Sequence, residues 1–109
     1  MTTIRIATGT STSTSRTARR VETEALWAER GLAVARSFEQ PGWTITHLAS
    51  GFAILQGIRT HRDAITVARR LLDAGDWTRS KTAVLGDRQL KGRARDIVAE
   101  ARLLGLVKA

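Results

Sequence analysis

The chain has no cysteine, no tyrosine and a single proline among its 109 residues. Without cysteine there are no disulfides and no thiolate metal sites, and a reducing, cytoplasmic compartment is expected. No apolar run approaches the length of a membrane span, and Met1-Thr2-Thr3-Ile4-Arg5-Ile6 lacks the apolar core of a secretory signal, so no membrane is expected among its partners. Of the two histidines, His47 and His61, each falls on a different predicted element with no carboxylate cluster at ligand spacing. Neither a metal nor another cofactor is therefore expected. Nucleophile-elbow, phosphate-loop and dinucleotide patterns are absent from usable contexts, and the carboxylates are scattered singly, so the chain reads as a non-enzyme. Aromatic residues are only three Trp and two Phe. Those few are needed in a core, which leaves little for stacking on unpaired bases and favours duplex DNA over single strands or RNA.

What the chain has in abundance is positive charge: 18 Lys and Arg against 10 Asp and Glu, a net charge of +8. A domain this basic attracts nucleic acid unless something masks it. The basic residues are 15 Arg and 3 Lys. This bias suits bidentate phosphate and base-edge recognition, and a GC-rich coding genome produces it equally well. The last third, 81–109, is the most basic segment.

The polar, low-complexity stretch 8–16 cannot bury enough apolar area to offset its ordering entropy, so 1–16 reads as a flexible tail and 17–109 as one domain. A helix is expected over 17–30, with Thr17 as its cap and Val21, Ala25 and Ala28 at helical spacing, ended by Gly31. Residues 32–38 could extend that helix, but a strand with Leu32, Val34 and Phe38 on one face is favoured because Gly31 stops the helix and Gln40-Pro41-Gly42 supplies a turn. Residues 43–48 alternate as a β-branched and aromatic strand, and 52–56 return after a three-residue loop, Ala49-Ser50-Gly51. That loop places Thr44, Thr46, Leu48, Phe52, Ile54 and Gln56 on one face, and Trp43, Ile45, His47, Ala53 and Leu55 on the other.

An amphipathic helix is predicted over 62–74, with Asp63 in its first turn and Gly75 at its end, and Trp77 folding back over that end. A linker is expected over 78–86. Asp87 then caps a final helix of about 88–104, whose seam is Leu90, Ala94, Ile97, Ala101 and Leu104. Two heptads are too short for an isolated coiled coil, so a monomer with this seam in its own core is favoured over a homodimer through Leu90, Ile97 and Leu104. The fold class is α+β: a small antiparallel sheet of two or three strands packed by helices, with a basic C-terminal helix.

The cations offered for phosphate contact are Arg36, Arg59, Arg62, Arg69, Arg70, Arg79, Lys81, Lys91 and Arg95. Trp43-Thr44-Ile45-Thr46-His47, Ser50-Gly51-Phe52 and the helix from Thr60 through Leu72 follow the order of a strand, a turn, a strand and a helix. Over under half the chain this order resembles the three-strand-plus-helix DNA-binding domains of the plant ethylene-response and phage-integrase amino-terminal type. The resemblance implies a sheet that enters the major groove, with Thr44 and Thr46 standing where those domains carry arginines. The expected function is a small duplex-DNA-binding, regulatory protein of bacterial, phage or plasmid origin. The alternative is a non-enzymatic adaptor or inhibitor that docks on an acidic protein surface.

Overall fold

A computed structural model describes residues 2–8, 19–37 and 41–107, with the backbone alone described over 2–8 and 19–24. Two strands, β1 (Thr2–Thr8) and β2 (Arg19–Ala25), form an antiparallel pair. A four-stranded antiparallel sheet follows in sequential order: β3 (Trp27–Glu29), β4 (Leu32–Arg36), β5 (Trp43–His47) and β6 (Ala53–Ile58). Among the described residues three helices follow: α1 (His61–Ala74), α2 (Lys81–Gly86) and α3 (Arg88–Leu103). The class is α+β, with four strands in the main sheet where two or three were expected.

The extra strands come from the amino-terminal third. The helix expected over 17–30 is instead β2, a break at Leu26, and β3. Alternation of Val21, Thr23 and Ala25 with Glu22 and Glu24 fits a strand as well as the small residues fit a helix. The partner decides between them: β1 sets Ile6 opposite Val21 and Ile4 opposite Thr23. The tail expected over 1–16 is accordingly a strand over Thr2–Thr8, and its remaining part lies outside the described residues. Gly31 ends no helix. It sits with Arg30 in the two-residue turn between β3 and β4, both at positive φ (45° and 92°), the geometry whose twist suits a tight hairpin.

β4 follows the strand reading of 32–38, although Phe38 lies outside the described residues. The β5–β6 loop has four residues, Leu48 to Gly51, closed by the His47 N–H donating to the Phe52 carbonyl at 2.9 Å. Ile45 stands opposite Leu55, as a three-residue loop requires, but the register shifts on either side, so that Thr46 faces Ala53 and Trp43 faces Ile58. Gly57, at φ 72°, takes the left-handed conformation within this irregular stretch.

Leu32, Val34, Ile45, Leu55 and Ile58 form the sheet side of the main core. α1 lies over β4, β5 and β6 and buries Ala64, Val67, Ala68, Leu71 and Leu72, while α3 adds Leu90 and Ala101. Each large aliphatic side chain placed there contributes roughly 1.5–3 kcal/mol. The opposite face of the sheet is also closed. Ala33 and Ala35 pack with Ala25 and Leu48, and Thr44 and Thr46, which stand opposite those alanines, are buried.

Thr60 caps α1, its hydroxyl accepting from the Asp63 N–H. The chain then turns where a side chain would not fit, since a Cβ on Gly75 would lie 2.7 Å from Leu90 Cδ1. Trp77 folds back as expected and donates its indole N–H to the Leu71 carbonyl at 2.6 Å. The linker expected over 78–86 contains α2, whose cap Ser80 accepts from the Ala83 N–H. Asp87 caps α3 through the Leu90 N–H, as read from the sequence. Of the α3 seam, Leu90 and Ala101 are buried and Ala94 and Ile97 pack against the core, but Leu104 is 64% exposed because the helix has ended.

Candidate functional site

The nine cations singled out from the sequence fall into three groups. The first lies where β4, β5 and the start of α1 meet. The Arg36 guanidinium stands 5.6 Å from the centre of the half-buried Trp43 ring, and His61 meets the same ring edge-on, 5.6 Å between centres. Ile58 pairs with Trp43, so Arg59 leaves the sheet beside it. Arg62 and Arg69 follow on one exposed face of α1, two turns apart. None of Arg36, Arg59, Arg62 and Arg69 has a carboxylate partner among the described residues.

The second group is already engaged. Arg70 makes a two-pronged bond to Glu100 on α3, both contacts at 2.8 Å. This bond and the opposite charge hold the Glu100 carboxyl below its ordinary value and raise the Arg70 guanidinium. Arg79 donates to the Asp87 carboxylate at 2.8 Å and lies 3.9 Å from that of Asp76. Asp87 titrates below its ordinary value, first because the Leu90 N–H donates to it and then because Arg79 does. Asp76 is lowered by its bonds from Thr78. These two arginines join elements within the fold.

Three carboxylates bonded only in the folded chain give a pH dependence of known sign. Their folded values are depressed, so their stabilisation is complete above the unfolded carboxylate range and is lost as pH falls through the folded values. The urea midpoint should fall as pH drops below about 4, where these carboxylates take up protons. In Asp87→Asn combined with Glu100→Gln, the difference in midpoint between pH 6 and pH 3 should shrink. An unchanged difference would remove these residues as its source.

The third group, Lys81, Lys91 and Arg95, lines a cavity of about 470 Å³ between β6 and the helices α2 and α3. Its walls are mainly apolar, including Ile54, Val84 and Val98, and Phe52 and Leu85 are exposed at it. Lys81 Nζ lies 3.7 Å from the centre of the Phe52 ring. Arg102 belongs to the same rim. No carboxylate among the described residues lines the cavity. The cleft between α1 and α3 is lined by Asp73 and Asp96 together with Arg70 and Arg93, and Glu100 holds Arg70. Arg36, Arg59, Arg62 and Arg69 line neither this cleft nor the cavity.

His47 also reaches this cavity, but its ring is only 5% exposed and its bonds are internal. Nε2 lies 2.9 Å from both the Trp77 and the Arg79 carbonyls, and Nδ1 lies 2.8 Å from Ser50 Oγ. A proton on Nε2, shared by the carbonyls, leaves Nδ1 to accept from the Ser50 hydroxyl. Ser50 Oγ in turn accepts from the Phe52 N–H. The pair has the separation of a nucleophile and a base, yet each partner is bonded into the β5–β6 loop or the segment after α1. It staples those two segments together.

Thr44 and Thr46, the positions a groove-reading strand would use, are not at a surface: Thr46 is 1% exposed. Sequence reading missed Phe52, Leu85, Val98 and Arg102 as cavity residues. The available signal was the uncharged run Ala53-Ile54-Leu55-Gln56 followed by a helix with Lys91, Arg95 and Arg102 on one side. Comparison with known proteins finds no family model, no curated protein and no solved structure that matches the chain.

Proposed function

We propose that this chain is a non-enzymatic nucleic-acid-binding protein that holds duplex DNA through phosphate contacts from Arg36, Arg59, Arg62 and Arg69. The observation that carries this reading is that these four exposed arginines lack carboxylate partners among the described residues, with Arg36 set against Trp43 of the Trp43–His61 pair. Coulombic attraction to phosphate is then not spent on a carboxylate among the described residues. Duplex is favoured because stacking surface is scarce: Trp77 is buried, and Trp27 and Trp43 both pack against the core. With Thr44 and Thr46 covered, binding through this surface is weakly selective for sequence.

A mobility-shift titration against salt tests the proposal. Each neutralised phosphate contributes about 0.9 to the slope of log affinity against log salt. Arg59→Ala, Arg62→Ala and Arg69→Ala together should lower that slope by roughly 2 to 3 while leaving the circular dichroism unchanged. Absence of duplex binding at about 50 mM salt, where this attraction is strong, overturns the reading.

A further inference from the structure

β6 is an edge strand, and among the described residues its outer side is capped at one end, where Ile58 bridges Val107 and Arg59 N–H bonds the Leu106 carbonyl. Edge strands are normally protected from further pairing by charge, proline or cover. Ala53-Ile54-Leu55-Gln56 has neither a charge nor a proline. Its outer side opens on the cavity already described and on a second of about 500 Å³, lined by residues from Ala53 to Gly57. Ala53, Ile54 and Arg102 belong to both, so the two form one groove along the strand. The walls offer apolar side chains, and the rim offers Lys81, Lys91, Arg95 and Arg102 with no carboxylate among the described residues.

We infer that this groove is a docking site for an extended, acidic segment of a partner protein, which adds a strand to β6. Its main chain would pair along residues 53–55, alternate apolar side chains would enter between Phe52, Leu85 and Val98, and its carboxylates would meet the four cations. Charge complementarity selects this occupant over two others. A second copy pairing edge to edge would bring the same four cations against their counterparts. The chain's own segment 9–18 consists of Gly, Thr, Ser, Ala and Arg and has no carboxylate to offer. None of Arg36, Arg59, Arg62 and Arg69 lines the groove, so separate substitutions test the two sites.

The probe is a panel of peptides of about eight residues, enough to cover β6 at roughly 3.3 Å per residue, in which Val or Ile alternates with Asp and Glu. A matched panel carries Lys in place of the acids. Fluorescence anisotropy with the full chain should show binding of the acidic panel only. Lys91→Glu with Arg95→Glu, both at exposed positions, should weaken it by about tenfold or more and gain affinity for the Lys panel. Bound acidic peptide should slow amide exchange at residues 53–55, a change that charge attraction alone would not produce. Arg59→Ala with Arg62→Ala and Arg69→Ala should bind the acidic panel as the parent does, which separates this site from the DNA surface. The inference is overturned if neither panel binds, if both bind alike, or if the charge-reversed chain keeps its affinity for the acidic panel. Unchanged exchange at 53–55, or complete displacement of the peptide by duplex DNA, overturns it as well.

Discussion

Gly31→Ala is expected to destabilise the fold by about 3 kcal/mol or more, a lowering of the melting temperature on the order of 10 °C. Two independent effects add at this position. Gly31 has φ 92°, where a Cβ is strained by roughly 1–2 kcal/mol. That Cβ would also lie 2.3 Å from the Trp77 carbonyl oxygen and 2.8 Å from the Thr78 nitrogen. Both are backbone atoms of the segment that follows α1, so the clash cannot be relieved by rotating a side chain. Either the β3–β4 turn or the 75–80 segment must move. Thermal unfolding followed by circular dichroism measures the effect. Gly86→Ala is the control, since a Cβ there meets nothing within 4 Å. Equal melting temperatures for the two variants would show that the close approach does not constrain the fold.

The role of Gly31 illustrates where sequence reading reaches and where it stops. Gly31 reads as a stop in the sequence and is one, but the element before it is a strand rather than a helix. The α1 segment was legible because its signals are local: Thr60 as cap, Asp63 in the first turn, an apolar stripe from Ala64 to Leu72 and a terminal glycine. Asp87 before α3 was legible for the same reason. β2 was not, because Val21 and Ala25 satisfy helix and strand spacing alike, and the residues that decide, Ile4 and Ile6, are far away in sequence. The β5–β6 strands were legible, but their register was only partly so, since bulges shift pairing without altering alternation on either strand.

For the candidate site, sequence supplied the cations and could not supply their partners. Arg69 and Arg70 are neighbours on one helix with the same charge, yet Arg69 is unpaired among the described residues and Arg70 is gripped by Glu100, thirty positions away. Arg79 lies in the basic segment Arg79-Ser80-Lys81, but two carboxylates hold it in place. Local charge counting does not reveal such pairing, because it depends on which helices pack together. The groove was hidden for a related reason. Its walls come from β6, α2 and α3, and α2 lay in a stretch read as linker.

Replacing His47 with Phe is expected to lower stability by about 2–4 kcal/mol, although a ring of comparable shape is retained. The loss comes from acceptors left behind. The Trp77 and Arg79 carbonyls both use Nε2, and the Ser50 hydroxyl loses Nδ1. A polar group that is buried without a partner costs about 1–3 kcal/mol, whereas an exposed one regains water, so the more buried Trp77 carbonyl should dominate. Ser50→Ala removes the contact with Nδ1 and the acceptor of the Phe52 N–H but leaves both carbonyls satisfied, and should cost less, about 1–2 kcal/mol. Because the same Trp77 carbonyl also receives the close approach of Gly31, the two sites should be coupled. Once Gly31→Ala has displaced that carbonyl, His47→Phe should cost less than it does in the parent, with an interaction of at least about 0.5 kcal/mol in a double-mutant cycle by urea unfolding. Strict additivity would mean that the two residues hold different parts of the segment. A His47→Phe chain as stable as the parent would show that the staple between the β5–β6 loop and the segment after α1 contributes nothing to the fold. In that case the Ser50–His47 pair, freed from a structural role, would have to be tested for chemistry at the cavity it borders.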